Sequence, residues 1–306
     1  MSARDLRTLY SRSFRNFPRN STTAASLVVA SILVQLVFCV VGAAVIVHMA
    51  STGWVYGLAA VLVIVAGTRL RALNNIVHEC SHNTFTASRE SNRTLGRICA
   101  SVLLGSFEAY RDEHLTHHVH LGDYAHDLDL QGIEALRLHD PLTPATILRH
   151  VLTPIVGRHL PYYLSADLSA RDGQWAQIAK LLILSATIVC LFLFPVATLV
   201  GVIIPRALVY TALNYWTDCL DHAGLLQNDD ELQASRNVLA PLVIRKLFFP
   251  RNDCFHLVHH LFPQVPSDHL EECHRTLMES GLYARAANAS RQIGKGGKPG
   301  EELVQA

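Results

Sequence analysis

Residues 25–47 (ASLVVASILVQLVFCVVGAAVIV) run for 23 positions without a single charge. About 20 apolar residues cross a bilayer core as a helix, so this segment makes the chain a membrane-spanning one. A cleavable signal peptide is the alternative, but the run is too long for its apolar region and no A-x-A-like site closes it. Trp54 to Gly67 forms a second apolar run that continues as helix through Arg69 and Arg71, whose charged heads can snorkel to the interface. A third, Ile178 to Trp216, is nearly uncharged and long enough for two spans that turn between Pro195 and Pro205. Arg206 is its exception. It is expected to cap that turn at the outer interface, the alternative being a position facing the bundle interior. Half of all residues are hydrophobic and 17% charged, with a mean hydropathy of +0.23, which is too apolar for an ordinary soluble domain.

The expectation is an all-α membrane protein with four spans, at about 25–48, 54–72, 178–197 and 200–218, arranged as two hairpins. Residues 1–20 carry Arg4, Arg7, Arg12, Arg15 and Arg19 against the single acid Asp5, and the first inter-span link has no Lys or Arg. The positive-inside rule then places the N-terminus in the cytoplasm. Net charge is only +1, so no nucleic-acid partner is implied, and the Arg run reads as a topology signal. Seven scattered cysteines with no C-x-x-C suggest neither a disulfide framework nor a zinc ribbon, and Cys80 and Cys254 read as packing residues. Residues 1–284 read as one domain. The polar tail from 285 to 306 reads as disordered. Leu95 to Phe107 is too short to span and is expected in the interface or against the bundle.

Two copies of His-x-x-His-His stand apart in the chain, His114, His117, His118 and His256, His259, His260, and His78 and His82 precede both. With 17 His in 306 residues, about 0.05 copies of that pattern are expected by chance. Neutral imidazole ligates Fe, Zn and Cu, so the clustering argues for a metal site. On a helix, His78 and His82 share a face, and His114 shares one with both His117 and His118, which diverge from each other by about 100°. Each trio can therefore serve two metals, and eight imidazoles exceed what one ion takes. An even number of crossings keeps all the clusters on one side, in a cytoplasmic helical cap. Iron is favoured over zinc because a redox-silent pair would imply hydrolysis. Ligand type alone leaves copper open.

His222, at the end of the fourth span, is expected as a ninth ligand, with Asp218 one turn back accepting its other ring N–H. Asp112, Glu113, Asp221 and Asp253 flank ligands and read as solvated charges. Asp127 and Asp129 are weaker candidates for orienting them. His48, His120, His126, His139, His150, His159, His269 and His274 are not assigned to the metal. Tyr215 and Trp216 are candidates for lining a substrate path, or else interfacial belt aromatics.

HECSHNTF, HLTHH with GDYAHDLD, and HLVHHLFPQVP resemble the three histidine boxes of the membrane fatty acid desaturase family, over about residues 25–280. The resemblance implies iron ligands at His78, His82, His114, His117, His118, His256, His259 and His260, with His222 as the extra ligand after the last span. LDHAGLL also looks like a motif of membrane alkane hydroxylases, but Ala223 stands where they carry an aromatic residue. The two-residue gap after His114 is desaturase-like. No HPGG haem motif occurs, so the resemblance implies a separate electron donor, a ferredoxin or a cytochrome with its reductase.

The expected activity is O2-dependent desaturation of a fatty acyl or lipid-like chain at a non-haem di-iron centre. Hydroxylation on the same scaffold is the nearer alternative, and a metal carrier or sensor the farther one. A transporter would place its ligands near the bilayer midplane, whereas these lie outside the apolar runs.

Overall fold

The computed structural model describes residues 2–49, 52–226 and 230–289, whose regular elements are all helices, with no strand among them. The helices are α1 (Ala3–Phe14), α2 (Thr22–Met49), α3 (Val55–Ser81), α4 (Arg89–Val102), α5 (Phe107–His120), α6 (Leu128–Gln131), α7 (Pro144–Ile155), α8 (Leu160–Tyr163), α9 (Gln174–Leu193) and α10 (Pro195–His222). Shorter helices follow at Leu242–Phe248, His256–Leu261, Leu270–Leu277 and Gly281–Ala289.

Four of these, α2, α3, α9 and α10, are long and apolar enough to cross a membrane. The outer face of α2 keeps large apolar side chains open, with Val34 68% and Phe38 69% exposed, as a lipid-facing helix does. Its inner face, Val29, Ile32 and Leu36, packs on Leu70, Leu73, Ile76 and Val77 of α3. Close approach between spans depends on small residues. A Cβ on Gly201 of α10 would lie 2.8 Å from the Val40 carbonyl of α2, so only glycine fits there.

The spans differ from the expected boundaries in instructive ways. α3 does not stop near residue 72. It runs on to Ser81 and carries His78 out of the apolar zone on the same rigid rod. The turn between the last two spans sits at Phe194, which leaves the helical region (φ −138°, ψ 63°), and Pro195 opens α10 at a position that needs no N–H donor. Pro205 therefore lies inside a helix. The chain accommodates it by winding as a π-helix over Leu199–Ile203 and Pro205–Tyr210.

Arg206 is consequently not at an outer turn. It faces inward, donating to the Val102 carbonyl at 3.3 Å and to that of Leu103. α4, covering most of the short apolar stretch, packs on α3 through Leu95 and Cys99. Residues 285–289 of the expected disordered tail instead belong to the helix Gly281–Ala289, where Tyr283 and Ala287 join a buried cluster. Residues 290–306 lie outside the described residues. That cluster also unites Leu6 and Phe14 of α1 with Leu257, Leu261 and Phe262, so the N-terminus is folded onto the last histidine helix. Arg7, counted above as a topology charge, donates from Nε to the Leu261 carbonyl at 3.0 Å and caps that helix.

Candidate metal centre

Each histidine group arrives on an element fixed by its own anchors. The start of α5 is held by Asp172, fully buried, which accepts from the Phe107 and Glu108 amides at 2.7 and 3.0 Å and from the Ser106 hydroxyl at 3.0 Å. A carboxylate there satisfies orphan N–H groups and favours the positive end of the helix. The short helix His256–Leu261 is fixed by Asn237, whose side-chain oxygen accepts from the Leu257 amide at 3.0 Å. The loop before it is clamped to α3. Arg251 grips Glu79 with two hydrogen bonds of 2.6 and 2.9 Å, Arg71 pairs with Asp253, and Asn75 donates to the Pro250 carbonyl at 2.7 Å.

The result is that all nine histidines singled out in the sequence converge. Their ring nitrogens form two groups, each with ligand atoms within 4.8 Å of one another: His78, His82, His114, His118 and His259, and beside it His117, His222, His256 and His260. Each trio splits between them. His114 and His118 join the first group and His117 the second; His256 and His260 join the second and His259 the first. None of the eight unassigned histidines belongs to either group. His150, for instance, bonds the Tyr215 hydroxyl at 2.6 Å, and His159 the Thr211 hydroxyl at 2.9 Å.

In the first group the Nε2 atoms follow one another at 3.0 Å (His82 to His114), 3.1 Å (His114 to His118), 3.0 Å (His118 to His259) and 2.8 Å (His259 to His78). In the second, His256 Nε2 lies 2.8 Å from His222 and 2.9 Å from His260. Metal–imidazole bonds of about 2.0–2.1 Å at right angles separate two nitrogens by about 2.8–3.0 Å, so these spacings fit donors sharing an ion.

The tautomers point the same way. His117 Nδ1 donates to Asp127 at 2.9 Å, His114 Nδ1 to Asp129 at 3.1 Å, and His222 Nδ1 to the Ala234 carbonyl at 3.2 Å. In a neutral ring each of these bonds leaves the Nε2 lone pair turned inward. Lone pairs about 3 Å apart repel unless a cation lies between them. Burial pushes His114, His118, His256, His259 and His260 well below the usual histidine range, which keeps them neutral and able to ligate. Burial pulls on His117 as well, but its hydrogen bond to Asp127 and the neighbouring Asp129 charge outweigh that and raise it.

Several assignments are corrected by this geometry. Asp127 and Asp129, the weaker candidates, are the carboxylates bonded to His117 and His114, and Asp127 is completely buried. Asp218 does not serve His222; it accepts from the Tyr163 hydroxyl at 2.6 Å. Asp221 and Asp253 are not solvated charges. Asp221 is buried 3.5 Å from His256 Nδ1, and Asp253 is held by Arg71. Tyr215 is fully buried and bonded to His150, and Trp216 donates to the His150 carbonyl at 3.2 Å; neither lines the cavity beside the centre. A cavity of about 260 Å³ beside the centre is walled by other residues, among them Asn74, Val77, Tyr110, Tyr163, Arg206 and Tyr210, with Glu113 and Asp167. Tyr110 stacks on His114 with ring centroids 5.4 Å apart, joining cavity to centre. It lies one helical turn before His114, the single signal in the sequence that would have found it.

The sequence model of the fatty acid desaturase family matches residues 52–290, which takes in all nine histidines. The chain belongs to the fatty acid desaturase family. Among its relatives, dihydrorhizobitoxine desaturase of Bradyrhizobium elkanii is 24% identical over 281 residues, covering 85% of this chain and 78% of that protein. Two Arabidopsis thaliana proteins are similar at lower coverage of their own length. The chloroplastic sn-2 acyl-lipid omega-3 desaturase (ferredoxin) is 24% identical over 67% of this chain and 52% of its own. The endoplasmic reticulum acyl-lipid omega-3 desaturase (cytochrome b5) is 23% identical over 74% and 66%. The chain thus spans about half to two thirds of these plant desaturases. Family and relatives together make it a desaturase-like oxidoreductase of lipid metabolism, with the four apolar helices of a membrane protein.

Proposed function

We propose that the chain is an O2-dependent di-iron desaturase that converts a –CH2–CH2– unit of a lipid-like chain to –CH=CH–. The balance takes up O2, two electrons and two protons and releases two waters, the electrons coming from a separate ferredoxin or cytochrome. The observation that carries this reading is the division of nine inward-facing imidazoles into two abutting groups, His118 and His260 standing 4.5 Å apart between ring centroids. A pair of irons held there would supply the oxidising power needed to remove hydrogen from an unactivated carbon. His78, His82, His114, His118 and His259 would hold one ion, and His117, His222, His256 and His260 the other.

The remaining residues position and shield. Asp127 and Asp129 fix two rings in the ligating tautomer, and the Arg251–Glu79 and Arg71–Asp253 pairs lock the third box against α3. Tyr110 and Val77 form the wall across which the substrate carbons meet the centre. Helix order and the basic N-terminus support two membrane hairpins, with both termini and the centre on the cytoplasmic side.

Expression of the chain in a bacterium, followed by mass spectrometry of lipid and aqueous extracts, tests the reaction. The expected product is lighter than its precursor by two hydrogens and absent from cells making the His117→Ala, His118→Ala variant. A product heavier by one oxygen would instead assign hydroxylation.

A further inference from the structure

We infer that Arg206 is a substrate-anchoring residue, and that the substrate enters the cavity as a free carboxylic acid rather than as an ester or thioester. The inference rests on the desaturase reading of the centre. Arg206 lines the cavity from α10, half-buried, and two of its N–H groups donate to the carbonyls of Val102 and Leu103. A guanidinium has five donors in a planar fork, so three remain. Of the arginines packed beside the metal centre, Arg71 holds the carboxylate of Asp253 and Arg251 that of Glu79, while Arg111 and Arg236 donate to the Ser81 and Ala223 carbonyls and do not line this cavity. Arg206 forms no ion pair among the described residues: Glu113 and Asp167 line the same cavity, but neither is paired with it, and its hydrogen bonds go to backbone carbonyls.

A half-buried cation without an ion-pair partner, projecting from a membrane-spanning helix onto a cavity wall, is a cost that an anionic ligand would offset. The guanidinium fork matches a carboxylate in a two-point pair. An ester or thioester carbonyl brings no charge and would leave the guanidinium uncompensated. Capping the end of α4 explains two of the donors but not their placement at a cavity beside the centre.

The register follows from α5. Arg206 bonds carbonyls three and four residues before Ser106, where α5 is capped, and His114 lies eight residues further on, about 12 Å along the helix. A carboxylate held by Arg206 therefore sets the reacting carbons at a fixed count from the acid end. Arg206 touches the substrate head and acts on the chemistry only through that spacing.

The test is calorimetric binding to the iron-loaded chain in detergent, using octanoate, methyl octanoate and octyl phosphate. Octanoate should bind wild type at least ~10-fold tighter than its methyl ester, and Arg206→Gln should collapse that ratio while leaving iron content unchanged. Ala109→Leu, which fills the cavity and keeps the guanidinium, should remove octanoate binding. Equal binding of acid and ester, a preference for octyl phosphate, or a preference that survives Arg206→Gln would overturn the inference. If Arg206→Gln does not fold, unchanged octanoate affinity in Ala109→Leu overturns it alone. Two irons per chain with no preference for the acid would refute this inference and spare the desaturase reading. The acid preference without bound iron would do the reverse.

Discussion

His117 and His118 are neighbours in the chain but belong to different ligand groups, their rings 6.0 Å apart between centroids and turned 80° to each other. The 100° step of an α-helix makes this unavoidable for adjacent residues. The same step places His114 and His118, one turn apart, in one group, and the last trio repeats the arrangement with the two groups exchanged.

Because Asp127 orients His117 alone, Asp127→Asn should weaken one metal site selectively. An amide can present its NH2 to Nδ1 and favour the other tautomer, which turns a proton rather than a lone pair toward the metal. Removing an orienting partner of this kind typically costs 10–100-fold in affinity or activity. The check is iron titration of the variant, which should show one tight and one weakened equivalent.

The link between α3 and the third box predicts a stability defect distant from any ligand. Arg251 and Glu79 are both largely buried, with side chains 13% and 5% exposed. Arg251→Ala should destabilise the protein by about 3–5 kcal/mol, since it leaves the Glu79 carboxylate without its partner. Thermal unfolding in detergent measures the loss, and iron content should fall with it. The double variant Arg251→Met, Glu79→Leu should recover much of the stability, because no buried charge is left unpaired.

Acid should destabilise the iron-free protein. His114, His118, His256, His259 and His260 are held well below their usual range by burial, so below about pH 6.5 the unfolded chain binds protons that the folded one refuses. Stability contributed by these groups is present above that pH and is lost as pH falls through it. His117 is raised and works in the opposite sense, but it is one against five. Melting temperatures of metal-free protein at pH 7.5 and 5.5 should show the lower value at 5.5.

How much of this was readable beforehand depends on the range of the interaction. Spacing within one helix is local, so the pairing of His78 with His82 and the splitting of each trio followed from the sequence. Partners supplied by another element did not. The i−4 position made Asp218 look like the partner of His222, but Tyr163 of α8 takes that carboxylate and the Ala234 carbonyl takes the imidazole. Asp127 and Asp129 ranked only as weaker candidates because nothing in GDYAHDLD tells that its loop folds back on α5. Arg206 was misplaced for a different reason. Two prolines suggested a wide turn, whereas the chain turns at the first and absorbs the second in π-helical winding, which also rotates the residues after it out of a 3.6-residue register.

The central claim is that nine imidazoles hold two metal ions. Anaerobic loading of the purified chain with ferrous salt, desalting, and counting of iron per polypeptide tests it directly. The account predicts two irons in wild type, and close to one tightly held in Asp127→Asn. One iron or fewer in folded wild-type protein would contradict it.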